Sequence, residues 1–364
     1  MPDHAYLAIE RAVTAVSLPG LGTDLAGAGA GVAVEGRDGG IAIRVSVGFP
    51  LGRLRPALES AIRAAVAAEG GQVLALNVDE RIVAHTPQGG LAPLAGAKNV
   101  IAIASGKGGV GKSTTAVNLA LALHREGARV GLLDADVYGP SQPLMLGLLG
   151  AQPESRDGKT FEPLTAHGIE TNSVGFLVKE SAPVIWRGPM VTQAVSQLTF
   201  QTNWHDLDYL LVDLPPGTGD TQLTLSQKVP LAGVVIVTTP QEIAAQVARR
   251  GLRMFEKVGV PILGVIENMA SFVCPSCAHE SALFGTGGGS RLAEECGVPL
   301  LGEIPLEASI RAQTDDGRPP VVAEPDGPIA QRYAEVARRL AIAVALRPRD
   351  QKHLFPKIVV EERR

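Results

Sequence analysis

Apolar residues change their period along this chain. From about residue 5 to 85 the pattern reads helix, strand, strand, helix, strand. Ile41, Ile43, Val45 and Val47 alternate with other residues, the two-residue period of a half-buried strand, and residues 54–69 repeat at the helical period before Gly70-Gly71 stops them. This predicts a small α+β domain over residues 1–88. Pro87-Gln88-Gly89-Gly90-Leu91-Ala92-Pro93 has the composition of a connector, which puts the boundary near residue 90 and a linker over 89–98. From Asn99 onward, short apolar runs at 100–104, 130–133, 209–212, 234–238 and 262–266 are separated by helical stretches. Strand-then-helix alternation of this kind predicts an α/β domain over 99–345, a mostly parallel sheet with helices on both faces, followed by a tail over 346–364. Ligands of such sheets bind beyond the C-terminal strand ends, so the residues just after each run are the candidates for chemistry.

Composition narrows the class of protein. With 364 residues the chain has room for about two domains and a substantial core. Lys plus Arg number 33 against 37 Asp plus Glu, so the surface as a whole carries no footprint for nucleic acid or anionic lipid. Met1-Pro2-Asp3-His4 opens no signal peptide, and the longest apolar run, around 229–237, falls far short of the ~18 residues that read as a spanning helix. These features predict a cytoplasmic chain with no membrane and no nucleic-acid partner. The tail carries Arg347, Arg349, Lys352, Lys357, Arg363 and Arg364, but Pro348 and Pro356 interrupt any amphipathic helix there, which leaves a solvated tail or arm. Three cysteines cannot build a disulfide framework, and two of them stand as Cys274-Pro275-Ser276-Cys277, a pair suited to metal or redox work in a reducing compartment.

The strongest motif follows the first α/β strand. Ser105-Gly106-Lys107-Gly108-Gly109-Val110-Gly111-Lys112-Ser113-Thr114 fits G-x-x-x-x-G-K-S/T between a strand and an Ala/Leu-rich helix. Glycines let backbone N–H groups converge on phosphate oxygens, the helix opening near Lys112 turns its positive end toward them, Lys112 can bridge the terminal phosphates, and Ser113 is a Mg²⁺ ligand. The expected ligand is therefore ATP with Mg²⁺. A second lysine, Lys107, cannot easily fold back onto phosphates already held by Lys112 and should reach elsewhere. Two carboxylates, Asp134 and Asp136, emerge after the second run. Asp136 is the candidate for orienting an attacking water, and Asp134 for supporting switch geometry or the metal's water shell. The run 209–212 closes on Asp213, a Walker B pattern in which Asp213 holds Mg²⁺ through water. Leu214-Pro215-Pro216-Gly217-Thr218-Gly219-Asp220 then reads as a switch segment, stiff at its prolines and adjustable at its glycines.

Cys274 and Cys277 offer two thiolates at ligand spacing, expected in a loop, and two thiolates are half a site. Two copies meeting on a two-fold axis would supply four, for a bridging 4Fe-4S cluster or a bridging zinc, while a thioredoxin-like redox pair would need a local βαβ setting that the pattern lacks. Cys296 lies in an apparent helix over 291–295 that ends at Gly297 and reads as a buried apolar thiol, and His279 as a loop residue.

The loop with Lys107 resembles the deviant Walker A form of the ParA, MinD and nitrogenase iron-protein superfamily, where the extra lysine crosses to the partner subunit's nucleotide. Beyond the loop, Asp134-Ala135-Asp136-Val137-Tyr138-Gly139-Pro140-Ser141, Trp186-Arg187-Gly188-Pro189-Met190, residues 213–220, Glu267-Asn268-Met269, residues 274–277 and Asp315-Asp316-Gly317-Arg318-Pro319 together make residues 97–340 resemble the Mrp/ApbC family of iron-sulfur cluster carriers. That resemblance implies an ATP-dependent homodimer and a slow ATPase that carries a 4Fe-4S cluster from donor proteins to apoproteins. It also implies that Asn268 contacts the adenine and that a loop at 304–306, including Pro305, covers it. Residues 1–88 resemble the MIP18-type domain often fused to such carriers, but Val47-Gly48-Phe49-Pro50-Leu51 has no thiol where those domains frequently carry one, so a docking role is the alternative to a ligand role. The competing reading is a positioning ATPase of the ParA/MinD sort with a structural zinc at the cysteine pair. A zinc-stapled dimer scaffold would leave the nucleotide loop without a use.

Overall fold

In the computed structural model, which describes residues 3–177, 188–274, 276–277 and 279–349, the alternation at Ile41, Ile43, Val45 and Val47 becomes one face of a strand with all four side chains buried. Helix α1 (Asp3–Thr14) and a short ribbon, β1 (Ser17–Leu18) with β2 (Thr23–Asp24), precede a hairpin of β3 (Gly31–Arg37) and β4 (Gly40–Val47). Helix α2 (Arg55–Ala68) crosses back so that β5 (Val73–Glu80) lies parallel to β4. Leu58, Ile62 and Val66, spaced by four, form the buried stripe of α2 and share a core with Ile9 and Val13 of α1. Apart from the β1–β2 ribbon, which the sequence pattern does not predict, the order of elements is the one expected.

The second sheet is built from β6 (Ala97–Ser105), β7 (Val130–Asp134), β8 (Leu164–Ala166), β9 (Ile169–Ser173), β10 (Leu207–Asp213), β11 (Gly233–Thr238), β12 (Ile262–Val273), β13 (Glu280–Ser281) and β14 (Leu300–Leu306). Its order is β13-β12-β11-β6-β10-β7-β9-β8, with β14 also on β12, which makes nine strands among the described residues. The pairs β8–β9 and β12–β13 are antiparallel and the other pairs are parallel. The connecting helices are α3 (Lys112–Arg125), α4 (Gln142–Met145), α5 (Gly188–Phe200), α6 (Asp220–Lys228), α7 (Glu242–Lys257), α8 (Gly288–Cys296), α9 (Ala308–Asp315), α10 (Pro320–Ala323) and α11 (Pro328–Ala345).

The continuous apolar runs still obey the strand period, because each face of the sheet is covered. Ile101 and Ile103 of β6 enter the core shared with α3 and α11, whereas Val100, Ala102 and Ala104 enter the one shared with α5 to α8. Leu132 and Leu133 of β7 divide in the same way, as do Leu211 and Leu210 of β10. The first of these cores also contains the apolar face of the N-terminal sheet.

Three local expectations change. The strand expected over 262–266 continues to Val273 and pairs with β13 and β14, so the cysteine pair sits on a hairpin at the end of β12. Residues 304–306 are the end of β14 and not a loop, because they pair with Asn268 and Phe272 of β12. The helix around 291–295 begins earlier, at Gly288, and stops as expected at left-handed Gly297. The Pro/Gly-rich stretch after residue 85 is anchored. Gln88 is buried, and its Nε2 donates to the carbonyls of Ser226 (2.6 Å) and Val229 (2.7 Å). His85 is buried as well, and its backbone N–H (3.2 Å) and Nδ1 (2.8 Å) meet Asn99 Oδ1. The start of the tail packs here too, since Thr86 N–H donates to the Pro348 carbonyl and His85 bridges to Arg349. The rest of the tail, from 350, and the motif residues Trp186 and Arg187 lie outside the described residues. No helix among the described residues is long and apolar enough to cross a membrane.

Candidate functional site

The loop from Gly106 to Gly111 turns between the end of β6 and the start of α3, and two of its glycines are required by close neighbours. A Cβ on Gly106 would stand 2.6–2.8 Å from the backbone of Val247 and Ala248 in α7. A Cβ on Gly111, at φ +80°, would stand 2.2 Å from Asn268 Nδ2. Gly108 and Gly109 face open space, a cradle that another backbone or a ligand can approach. Lys112, Ser113 and Thr114 form the first turn of α3, where unpaired N–H groups and the helix dipole favour an anion.

Pairing of β10 with β7 puts Asp213 in register with Asp134, so both carboxylates end neighbouring strands beside this turn. Lys112 Nζ makes an ion pair with Asp213, reaches Asp136 Oδ2 at 3.6 Å and donates to Ser113 Oγ at 3.2 Å. Gln142, which opens the short α4, donates from Nε2 to Asp213 Oδ2 (2.9 Å) and to the Ser113 carbonyl (3.1 Å). Asp134 is fully buried and accepts the N–H groups of Asp136, Ser141 and Gln142, each at 3.1 Å, and the Ser173 hydroxyl at 2.9 Å. Asp134 therefore fixes the loop that follows β7. Among the described residues the buried Oδ1 of Asp136 has no hydrogen-bond partner.

The charges are unbalanced: one ammonium serves three carboxylates. Burial, and then the charge of Asp213, push the Asp134 carboxyl up to about 7 against its hydrogen bonds from Gln142 and Ser173. Burial also raises Asp136, although Lys112 opposes the shift. For Lys112, burial pulls the ammonium down, but Asp213, Asp136 and Asp134 outweigh it and hold its pKa above the ordinary lysine value. This donor set fits a hydrated Mg²⁺ bound with phosphates: the oxygens are hard, Asp136 has an unsatisfied oxygen, and Ser113 is next to Lys112.

The segment after Asp213 is tied back to β6. Leu214 N–H donates to the Ile103 carbonyl (3.1 Å), and Gly217 N–H, at φ +107°, to the Ser105 carbonyl (3.0 Å). Lys107 is half-buried in the loop, and its ammonium forms no ion pair among the described residues. Asn268 lies under the loop, with Nδ2 donating to the Val110 carbonyl at 2.8 Å. Pro305, on β14 beside it, lines a cavity of about 230 Å³ with Ala270, Ser271 and Val273 of β12.

The cysteine hairpin begins where β12 ends. Cys274 N–H donates to the His279 carbonyl at 2.9 Å, and Phe272 and Val273 pair with Ser281 and Glu280. Cys274 is half-buried and Cys277 exposed, both as free thiols. Backbone N–H groups of Ser276 and Cys277, and then the Cys277 side chain, lower the Cys274 thiol pKa and so favour its thiolate. Cys296, on α8, is half-buried against the core, and burial raises its thiol pKa. Its environment suits an inert apolar thiol.

The sequence reading missed Gln142 and the contact of Asn268 with the phosphate loop. A buried glutamine one residue after the motif ending in Ser141 is visible in sequence, but its partner Asp213 lies 71 positions away and only the β7–β10 register brings them together.

The ParA family, described as NUBPL iron-transfer P-loop NTPase, matches residues 96–341. An iron-sulfur cluster carrier protein of Pseudomonas fragi is 57% identical over 257 residues, 70% of this chain and 90% of that protein. A nucleotide-binding protein of Archaeoglobus fulgidus, solved in complex with ADP, superimposes with a TM-score of 0.57 at 37% identity over 65% of this chain and 92% of that one. The Pyrococcus furiosus cell division ATPase MinD shares the fold, with a TM-score of 0.51 at 22% identity over 66% of this chain and 98% of that one.

Proposed function

This chain belongs to the iron-sulfur cluster carrier family of ParA/MinD-type P-loop NTPases, and on that premise we propose that it is an ATPase whose homodimer carries a 4Fe-4S cluster as cargo and delivers it to apoproteins. The observation that carries this reading is the pair of exposed and half-exposed thiols, Cys277 and Cys274, on a hairpin whose strand also contacts the phosphate loop. One chain supplies two thiolates and the cluster takes four, so the cargo sits on the two-fold axis between Cys274 and Cys277 of each subunit. A 22% likeness to MinD carries the fold and does not favour a positioning role.

The proposed chemistry uses the residues as they stand. Gly106, Lys107, Gly108, Gly109, Val110, Gly111, Lys112, Ser113 and Thr114 cradle the phosphates of ATP, and Asn268, with Pro305 beside it, faces the adenine. Ser113, as ligand, and Asp213, through water, would hold Mg²⁺, which would supply positive charge to the phosphates. Lys112 exchanges its contact with Asp213 for the phosphates. Asp136, with its free Oδ1, orients the water that attacks the γ-phosphorus, and ADP leaves. Lys107, unpaired within its own chain among the described residues, reaches the nucleotide of the other subunit. Closing such a dimer from 1:99 to 99:1 takes roughly 5.5 kcal/mol of differential affinity, which two nucleotides share. The protein acts in the cytoplasm without membrane or nucleic acid. The domain over 1–88, without a thiol at 47–51, docks cluster donors or recipients.

Anaerobic reconstitution with iron and sulfide, followed by iron, sulfide and zinc analysis, tests the cargo. About four irons and four sulfides per dimer in the parent, lost in Cys274→Ala and in Cys277→Ala, is the expected result. About one zinc per dimer with no stable iron would make the hairpin a structural clasp and overturn the reading.

A further inference from the structure

Strand β12 is continuous from the phosphate loop to the cysteines, but it is jointed between them. Its inner part runs in parallel register with β14 as far as Asn268, opposite Ile304, and the next pair is Phe272 with Leu306. Four steps along β12 thus match two along β14, a bulge that bends the strand. Met269 opens this bulge at φ +57°, a left-handed backbone that a long side chain adopts only when its surroundings hold it there. Beyond the bulge, Phe272 and Val273 pair with β13, and Cys274 follows directly.

The joint touches the nucleotide loop. Asn268 Nδ2 donates to the Val110 carbonyl at 2.8 Å, and it fills the place where a Gly111 side chain would stand. Met269 Cε comes within 3.9 Å of that same point. Asn268 therefore contacts the backbone immediately before Lys112, Met269 lies beside it, and Met269 also holds the bend that sets the direction of the hairpin.

We propose that Asn268 and Met269 are positioning residues that transmit the nucleotide state of the loop to the Cys274–Cys277 hairpin; this rests on the reading that the loop takes ATP and the hairpin takes the cluster. The Asn268 amide has a second N–H free for a purine nitrogen, but it loses its bond to Val110 once the Val110 carbonyl turns as the loop closes on phosphates. Release of that bond frees the residue preceding Met269, and the left-handed turn can then redistribute along the bulge. A strand without the bulge would absorb the change in its ladder of hydrogen bonds. Here the ladder with β14 is interrupted between residues 268 and 272, so the change passes to the hairpin.

Thiol labelling of the metal-free full-length chain tests this without any cluster. N-ethylmaleimide rates at Cys274 and Cys277 are read by peptide mass spectrometry with and without Mg-ADP or Mg-ATPγS, with Cys296 on α8 as the internal reference. Saturating nucleotide should change the Cys274 rate about threefold or more, relative to Cys296. In Asn268→Ala and in Met269→Gly, each at a nucleotide concentration shown by equilibrium dialysis to saturate it, the ratio should fall to about one. A nucleotide-independent rate in the parent, or a parent-like ratio in either variant, overturns the proposal. Reconstitution of the same variants is a separate measurement, so a failure of coupling is distinguishable from a failure to hold a cluster.

Discussion

Gln142 joins two parts of the site that are far apart in sequence: its Nε2 lies 2.9 Å from Asp213 Oδ2 and 3.1 Å from the Ser113 carbonyl. Asp213 thereby has Lys112 at one oxygen and an amide at the other, and its plane is fixed before any metal arrives. Gln142→Leu keeps the volume and removes the donor. The Mg²⁺ concentration giving half-maximal ATP hydrolysis should rise about 10- to 100-fold, the usual effect of losing a partner that orients a metal-holding carboxylate. An unchanged Mg²⁺ midpoint would reduce Gln142 to packing.

Lys112 has a structural duty besides its expected one. Its side chain is 6% exposed and that of Asp213 0%, so removing the ammonium leaves a buried carboxylate with the Gln142 amide but no counter-charge. Lys112→Met should cost about 3–5 kcal/mol in urea unfolding of the nucleotide-free protein, the range for breaking a buried pair from one side. Adding Asp213→Asn should recover much of that stability without restoring nucleotide binding. If the double variant is no more stable than Lys112→Met alone, the ion pair is not the cause.

Lys107 separates binding from turnover. Lys107→Ala should bind ATP with affinity within about tenfold of the parent and lose hydrolysis, because its ammonium acts on the other subunit's nucleotide in the closed state. Full ATPase activity in this variant would remove the contribution in trans.

The anchor at His85 makes stability depend on pH. Burial lowers its pKa below the ordinary 6.5, with Asn99 opposing the shift. The unfolded chain therefore binds a proton more readily than the folded one, and stability present above about pH 6.5 is lost as pH falls through the folded pKa. The melting temperature should fall between pH 7.5 and 5.5, and His85→Gln should flatten that part of the profile. A profile identical to the parent's would assign the acid sensitivity to other groups.

The fold was readable wherever one segment determines its own structure. Residues 105–114 specify a strand, a turn and a helix start by themselves, and Ile41 to Val47 alternate whatever lies around them. Short β8, β9 and β13 have two to five residues each and no periodicity long enough to detect, so they escaped. The family resemblance implied a loop at 304–306, yet Pro305 lies near the end of a strand beside the bulged part of β12, where the ladder is already broken. Contacts such as Asn268 with Val110 depend on strand order, which local pattern does not encode.

The apolar face of the N-terminal sheet and the α3/α11 face of the large sheet lie in one uninterrupted core. The two parts that composition separates should therefore share a single calorimetric transition, with the calorimetric and van't Hoff enthalpies in agreement. A substitution such as Ile43→Ala, made in a segment that never approaches the phosphate loop in sequence, would lower the melting temperature of the nucleotide-binding half by the same amount as that of its own.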